Sequence, residues 1–287
     1  MSFRRVSIRL SLLLFLSFFC IVSAANAQAP LTLRVHPYLA ASELVKRFAP
    51  LADYLSREIG RPVVVSISKN YRDHIDQIGR DKADIAYMGP VPYVRMVEKY
   101  GKKPLLARLE INGAPTFRGV IITAKNSSVR SLSDLKGKRF AFGDPNSTMS
   151  HIVPRFLMLQ AGVTVKDLAG HAFLRNHSNV VLGVLIGDFD AGAVKDEVFY
   201  EYEQRGLRAV TWTPPISEHL FVTRRTLPSK TIKALRKTLY ALEHEKEGKA
   251  IMSKIEKNMT GMVPARDEDY DNLRVILKEL KRIGVNP

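Results

Sequence analysis

Along the chain, short apolar runs with strand character alternate with longer stretches in which apolar residues recur every three or four positions. Leu31 to Val35 suits a strand, which His36-Pro37-Tyr38 breaks. Ser42 is placed to cap the next helix. There Leu44, Val45, Phe48, Leu51, Leu55 and Ile59 recur at helical spacing until Gly60, with a kink expected at Pro50. Pro62 to Ile67 reads as a second strand, Tyr71 to Gly79 as a helix and Ala83 to Tyr87 as a third strand. The same grammar returns after residue 117, with strands at Val120 to Thr123 and Arg139 to Phe142, a helix after Ser147 and another from about Asn179 to Ile186. Ala83-Asp84-Ile85-Ala86 is echoed by Phe189-Asp190-Ala191-Gly192-Ala193-Val194.

Strands and helices alternating at this spacing predict an α/β fold with parallel pairs, and the echo predicts two related lobes. After Trp212, an extended Leu220 to Thr223 precedes helices at about 229–257 and 268–283, expected to return to the first lobe. The predicted organisation is a leader at 1–27, one lobe at 28–116 plus 217–287, and a second at 117–216. Two lobes joined by more than one crossing leave a cleft that closes around a ligand, with strand-end loops facing it. The loops singled out are His36-Pro37-Tyr38, Tyr87-Met88-Gly89-Pro90, Gly143 to His151 and Lys195-Asp196-Glu197. Tyr87 and Met88 are candidates for the cleft wall, although residues of their type after a buried strand also pack into cores.

The first residues are basic, an apolar run follows from Leu10 to Val22, and the segment ends Ala25-Asn26-Ala27. That is the pattern of a cleavable secretory signal, with the cut after Ala27 and the mature protein in the periplasm. The apolar run is short for an uncleaved anchor. Cys20, the one cysteine, lies inside this run after Phe19, where lipidation would want a small residue. The mature chain therefore has no disulfide to form and depends on its core. Removing Arg4, Arg5 and Arg9 from 44 basic residues against 28 acids leaves a net charge of +13. The surplus is scattered rather than striped and favours anions near the surface. No nucleic-acid motif accompanies it, so no nucleic-acid partner is expected.

The densest candidate chemistry is Gly143-Asp144-Pro145-Asn146-Ser147-Thr148-Met149-Ser150-His151, between a predicted strand and a predicted helix. Gly, Asp-Pro and Asn turn the chain. Ser147 and Thr148 then stand at a helix start, where free backbone N–H groups and the positive end of the helix dipole favour an oxyanion. Taken alone, the segment fits an ordinary N-cap equally well. Pro154 sets the first turn apart from the helix proper.

This run resembles the D-P-x-S-T-S-G-x-x-x-P signature of the phosphonate/phosphite periplasmic binding proteins, the PhnD-like family. So do Ala83 to Tyr93 and His177 followed by Gly187 to Val194, in the same order and strand context. The resemblance implies a type II periplasmic binding fold, two α/β lobes with the ligand cleft between them, that hands a small anionic ligand to an ABC transporter permease in the inner membrane. It implies that Ser147 and Thr148 hold the oxyanion, that Tyr38 covers it, and that His177 and Glu197 also face it. Two positions depart from the pattern. Met149 and Ser150 replace the second serine and the glycine, so Met149 removes a hydroxyl that Ser150 is placed to supply from a neighbouring position. His219 stands where aminophosphonate binders carry an acid, which argues against an aminoalkylphosphonate ligand.

The expected function is capture of a phosphonate, phosphite or related oxyanion. The alternative is a sensory receptor of the same fold that reports another, sulfur-containing oxyanion to a histidine kinase. Ser147, His177 and Asp190 supply the residue types of a hydrolase triad, but no G-x-S-x-G elbow surrounds Ser147, so no catalytic residue and no enzyme is expected. The seven histidines show no metal-ligand spacing, so neither metal nor cofactor is expected. Asp84 and Asp190 suit structural hydrogen bonding at equivalent strands of the two lobes.

Overall fold

The computed structural model describes residues 29–284. The leader reading and Cys20 lie outside the described residues.

The chain opens with β1 (Leu31–Val35), α1 (Ala41–Ile59), β2 (Val63–Ile67), α2 (Tyr71–Gly79), β3 (Ile85–Met88), α3 (Pro90–Tyr100) and β4 (Leu105–Ile111). It crosses through β5 (Thr116–Phe117) into β6 (Gly119–Ala124), β7 (Arg139–Phe142), α4 (Val153–Gln160), β8 (Gly170–Phe173), α5 (His177–Leu185), β9 (Ala191–Lys195), α6 (Asp196–Tyr202) and β10 (Leu207–Trp212). It returns through β11 (Ile216–Ser217) to β12 (Leu220–Thr223), α7 (Ser229–Ala241), α8 (Lys246–Ile255), β13 (Met259–Val263) and α9 (Asp271–Arg282).

Two sheets result. The first has six strands in the order β13-β4-β12-β3-β1-β2, and the second has five in the order β10-β6-β9-β7-β8. β1 pairs in parallel with β2 and β3, and β7 pairs in parallel with β8 and β9. The two crossings pair antiparallel as a ribbon, Ile216 opposite Phe117 and Ser217 opposite Thr116. This is the type II arrangement of two α/β lobes, with β12 and the last helices back on the first sheet.

The repeat in the sequence has a structural counterpart. The Asp84 carboxylate accepts from the Thr32 amide at 2.9 Å at the head of β1, and from Arg224 Nε at 2.7 Å. The Asp190 carboxylate accepts from the Arg139 amide at 2.7 Å at the head of β7. Each aspartate thus ties the start of one strand to the start of its parallel neighbour.

Three local expectations change. The first helix begins at Ala41, so Ser42 lies inside its first turn, and Ala40 caps it without a side-chain bond. The later helix starts at His177 rather than near Asn179, because Asn176 caps it: its side chain accepts from the Asn179 amide. The long helix expected near 229–257 is two, broken by a tight turn over Leu242–His244. At the other end of α1, Gly60 adopts φ 64°, a left-handed C-cap that a side chain would strain.

Candidate functional site

After β7, Asp144 and Asn146 form an Asx turn: Asp144 Oδ1 accepts from the Asn146 amide at 2.7 Å, and the Asp144 carbonyl accepts from the Ser147 amide at 2.8 Å. The chain then makes a π-helical turn over Thr148–Ile152 before α4, with the Ile152 amide reaching the Ser147 carbonyl at 3.0 Å. Pro154, near the start of α4, removes one donor from the regular ladder. Gly143 permits the turn to close: a Cβ there would lie 2.6 Å from Ser150 Oγ.

The turn aims its front at an enclosed space. His36, Tyr38, Tyr71, Gly89, Phe117, Ser147, Thr148, Met149, His177, Lys195 and His219 surround a small, tightly closed cavity between the lobes. Both hydroxyls of the turn have their oxygens occupied as acceptors. Ser147 Oγ takes the Ser150 amide at 3.2 Å, and Thr148 Oγ1 takes the Val91 amide at 3.0 Å. A hydroxyl that already accepts keeps its proton for donation, so each can give an O–H to a bound anion. The first-turn amides of Thr148 and Met149 have no helical acceptor and add to the donor set.

His177 joins them as a neutral donor. Its Nδ1 accepts from the Lys195 amide at 3.0 Å, which leaves Nε2–H as its free donor. Burial, with Lys195 and His219 nearby, lowers its pKa to about 3. His36 and His219 have the opposite tautomer. His36 Nδ1–H donates to the Tyr87 carbonyl at 3.2 Å, and His219 Nδ1–H donates to the Glu218 carboxylate at 2.6 Å. Burial also lowers both of their pKa values, for His219 against the opposing pull of Glu218.

Behind the cavity lies a buried charge cluster. Lys195 Nζ sits 2.5 Å from Glu256, 3.5 Å from Glu218 and 3.8 Å from Glu197. Burial opposes the lysine charge, but these carboxylates hold its pKa well above the ordinary value. Burial likewise opposes the charge on Glu218, yet Lys195 and His219 hold its pKa low. Burial drives the pKa of Glu256 the other way, up, against the opposing pull of Lys195.

Of the residues singled out in the sequence, Tyr38, Ser147, Thr148, Met149, His177 and His219 line the cavity together. Four are elsewhere. Ser150 donates its hydroxyl to the Ala193 carbonyl, so it does not replace the hydroxyl missing at Met149. Glu197 turns to Arg47 at 2.5 Å. Tyr87 lies behind the wall, stacked on His36 and His219. Met88 is buried in the core. Gly89, between the same strand and α3, reaches the cavity in their place. His36, Tyr71, Phe117 and Lys195 were missed as lining residues. His36 and Lys195 did lie in strand-end loops that had been singled out, and Lys195 carried a further signal as a lone charge ending an apolar strand.

A bilobal α/β fold closed over a small cavity lined by hydroxyls, first-turn amides and imidazoles defines a solute-binding protein for an oxyanion. The family described as ABC transporter, phosphonate, periplasmic substrate-binding protein matches residues 33–270. The chain belongs to that family. It is 25% identical over 259 residues, 84% of this chain and 86% of the relative, to a probable ABC transporter phosphite binding protein, PhnD1, of Prochlorococcus marinus (strain MIT 9301). It is 24% identical over 269 residues, 85% of this chain and 84% of the relative, to the phosphate-import protein PhnD of Mycolicibacterium smegmatis. The structure of the Prochlorococcus protein in complex with methylphosphonate superposes with a TM-score of 0.81 at 24% identity, covering 88% of this chain and 98% of that one. The family and both relatives belong to transport, which favours transport over signalling to a histidine kinase. Among the described residues no helix is long and apolar enough to cross a membrane.

Proposed function

We propose that the cavity captures a small phosphorus oxyanion, of the size of phosphite or methylphosphonate, in the periplasm and delivers it to an inner-membrane ABC permease. The observation that carries this reading is the convergence of the Ser147 and Thr148 hydroxyls and His177 Nε2–H on one enclosed cavity. These donors stabilise an anion through charge-assisted hydrogen bonds. Residues 28–116 with 217–287 and residues 117–216 act as the two closing bodies, with the β5–β11 ribbon as the crossing between them. Residues 1–27 direct export and are removed. The protein binds its ligand without transforming it.

The cavity's far end disfavours an aminoalkylphosphonate. An ammonium group is already present in Lys195, His219 is no acid, and Glu197 is engaged by Arg47. Calorimetry with methylphosphonate, phosphite, phosphate, sulfate and 2-aminoethylphosphonate tests the reading. Methylphosphonate or phosphite is expected to bind and the aminophosphonate to bind more weakly. Failure of every phosphorus oxyanion to bind overturns it.

A further inference from the structure

We propose that the cavity takes up its oxyanion together with one proton, held between a ligand oxygen and Nε2 of His219, and that this proton separates phosphorus oxyanions from sulfate and sulfonates. The inference rests on reading the cavity as a phosphorus-oxyanion site.

The tautomers fixed by the surrounding protein carry it. His36 Nδ1 faces a carbonyl, which only accepts, so this nitrogen bears the hydrogen and Nε2 is left with a lone pair. His219 Nδ1 faces a carboxylate held ionised beside Lys195, so Nε2 of His219 is left in the same state. The two Nε2 atoms converge on one spot of the wall: a Cβ built on Gly89 would lie 3.5 Å from that of His219 and 3.6 Å from that of His36. The rings themselves stack, with centroids 5.3 Å apart. On the same cavity, Ser147, Thr148 and His177 offer hydrogens.

A fully deprotonated tetrahedral anion is satisfied on the donor side, but on the imidazole side it would set its lone pairs against theirs. An anion that keeps one O–H donates it there, and a dianion basic near neutral pH, as that of a phosphonate is, takes a proton from solvent onto its own oxygen and does the same, which sulfate is too weak a base to do. Both routes end with one proton in the complex. His219 is its seat rather than His36, because a carboxylate on Nδ1–H makes the far nitrogen more basic than a carbonyl does. The groups facing His219 are Glu218 on its own segment, His36 and Tyr38 after β1, Tyr87 of β3, Lys195 of β9, His177 of α5 and Glu197 of α6. His74 stands behind His36. A sulfonate is fully ionised and brings no proton, so a buried acceptor is left unpaired when it binds.

The test is calorimetry of the full-length mature protein with methylphosphonate, in buffers of different ionisation enthalpy, at a pH above the ligand's second ionisation. Uptake of about one proton is expected, with affinity falling about tenfold per pH unit. Methanesulfonate should bind at least about a hundredfold more weakly than methylphosphonate. His219→Phe, which keeps the stacked ring, should shrink that ratio and reduce the uptake. Methylphosphonate binding with no proton uptake and a flat pH dependence overturns this inference while leaving the proposed function standing. Absence of binding to any phosphorus oxyanion overturns both. If the variant does not fold, proton uptake by the unaltered protein still decides.

Discussion

The backbone amide of Lys195 donates to Nδ1 of His177 at 3.0 Å, so the last residue of one strand sets the tautomer of the first residue of a helix. An imidazole fixed this way is a donor at Nε2 and stays neutral at ordinary pH, because burial lowers its pKa to about 3. Nitrogen NMR of the imidazole should show Nε2 protonated, Nδ1 bare and no titration between pH 5 and 8, a window that lies above that pKa. His177→Phe should weaken the anion by about 1.5 to 3 kcal/mol, the range for a hydrogen bond to a charged group.

Thr148 Oγ1 accepts the Val91 amide across the cleft. Thr148→Val keeps the shape and removes both that acceptor and the hydroxyl donor. It should weaken methylphosphonate by about 1.5 to 3 kcal/mol. Ser147→Ala should weaken binding comparably and also cost about 1 kcal/mol of stability, because the hydroxyl oxygen caps the Ser150 amide. Calorimetry and urea unfolding of the two variants separate these effects.

Glu197 provides the contrast. Its carboxylate is engaged by Arg47 outside the cavity lining. Glu197→Gln is expected to change ligand affinity by less than about twofold while destabilising the fold by about 1.5 to 3 kcal/mol, through loss of a charged hydrogen bond. A large loss of affinity at unchanged stability would return Glu197 to the binding site.

Gly192 sits in β9 under α5, and a Cβ there would lie 2.6 Å from Val180 and 3.1 Å from the Ala141 carbonyl. Gly192→Ala should destabilise the protein by about 1 to 3 kcal/mol as the helix is pushed off the sheet. Thermal unfolding checks it.

Buried neutral histidines set the acid limb of stability. The pKa values of His74, His151 and His177 are each lowered by burial to about 3. The unfolded chain takes up their protons near the ordinary pKa of about 6.5, before the folded chain does. Stability is therefore fully present above that value and falls as pH drops toward 3, by about 1.4 kcal/mol per pH unit for each imidazole. Glu256, with its pKa raised, acts with the opposite sign: it favours the fold at low pH and loses that contribution as pH rises through its folded pKa. His74 lies outside the cavity lining, so His74→Asn should flatten the slope below pH 6.5 by about 1.4 kcal/mol per pH unit in urea unfolding at a series of pH values.

The sequence by itself determined the strand–helix alternation that opens each lobe, the turn at Gly143 to Ser147 and the pairing of Asp84 with Asp190 as equivalent positions. These depend on side-chain periodicity and on turn chemistry within a few residues, which a linear reading contains. Strands such as β4, β8 and β10 and the helix α3 emerge only in the structure. Which candidates meet was decided only by tertiary structure. Ser150 and Met149 are neighbours in sequence, yet the π-helical turn sends one hydroxyl to Ala193 and leaves the thioether in the wall. Glu197 lies two residues beyond Lys195, but only the lysine reaches the cavity, because Arg47 from a helix 150 residues away claims the glutamate. The tautomers of His36, His177 and His219 were likewise invisible in the sequence. A ring nitrogen's role is set by the group packed against it, and two of those three partners, Tyr87 and Lys195, come from other strands.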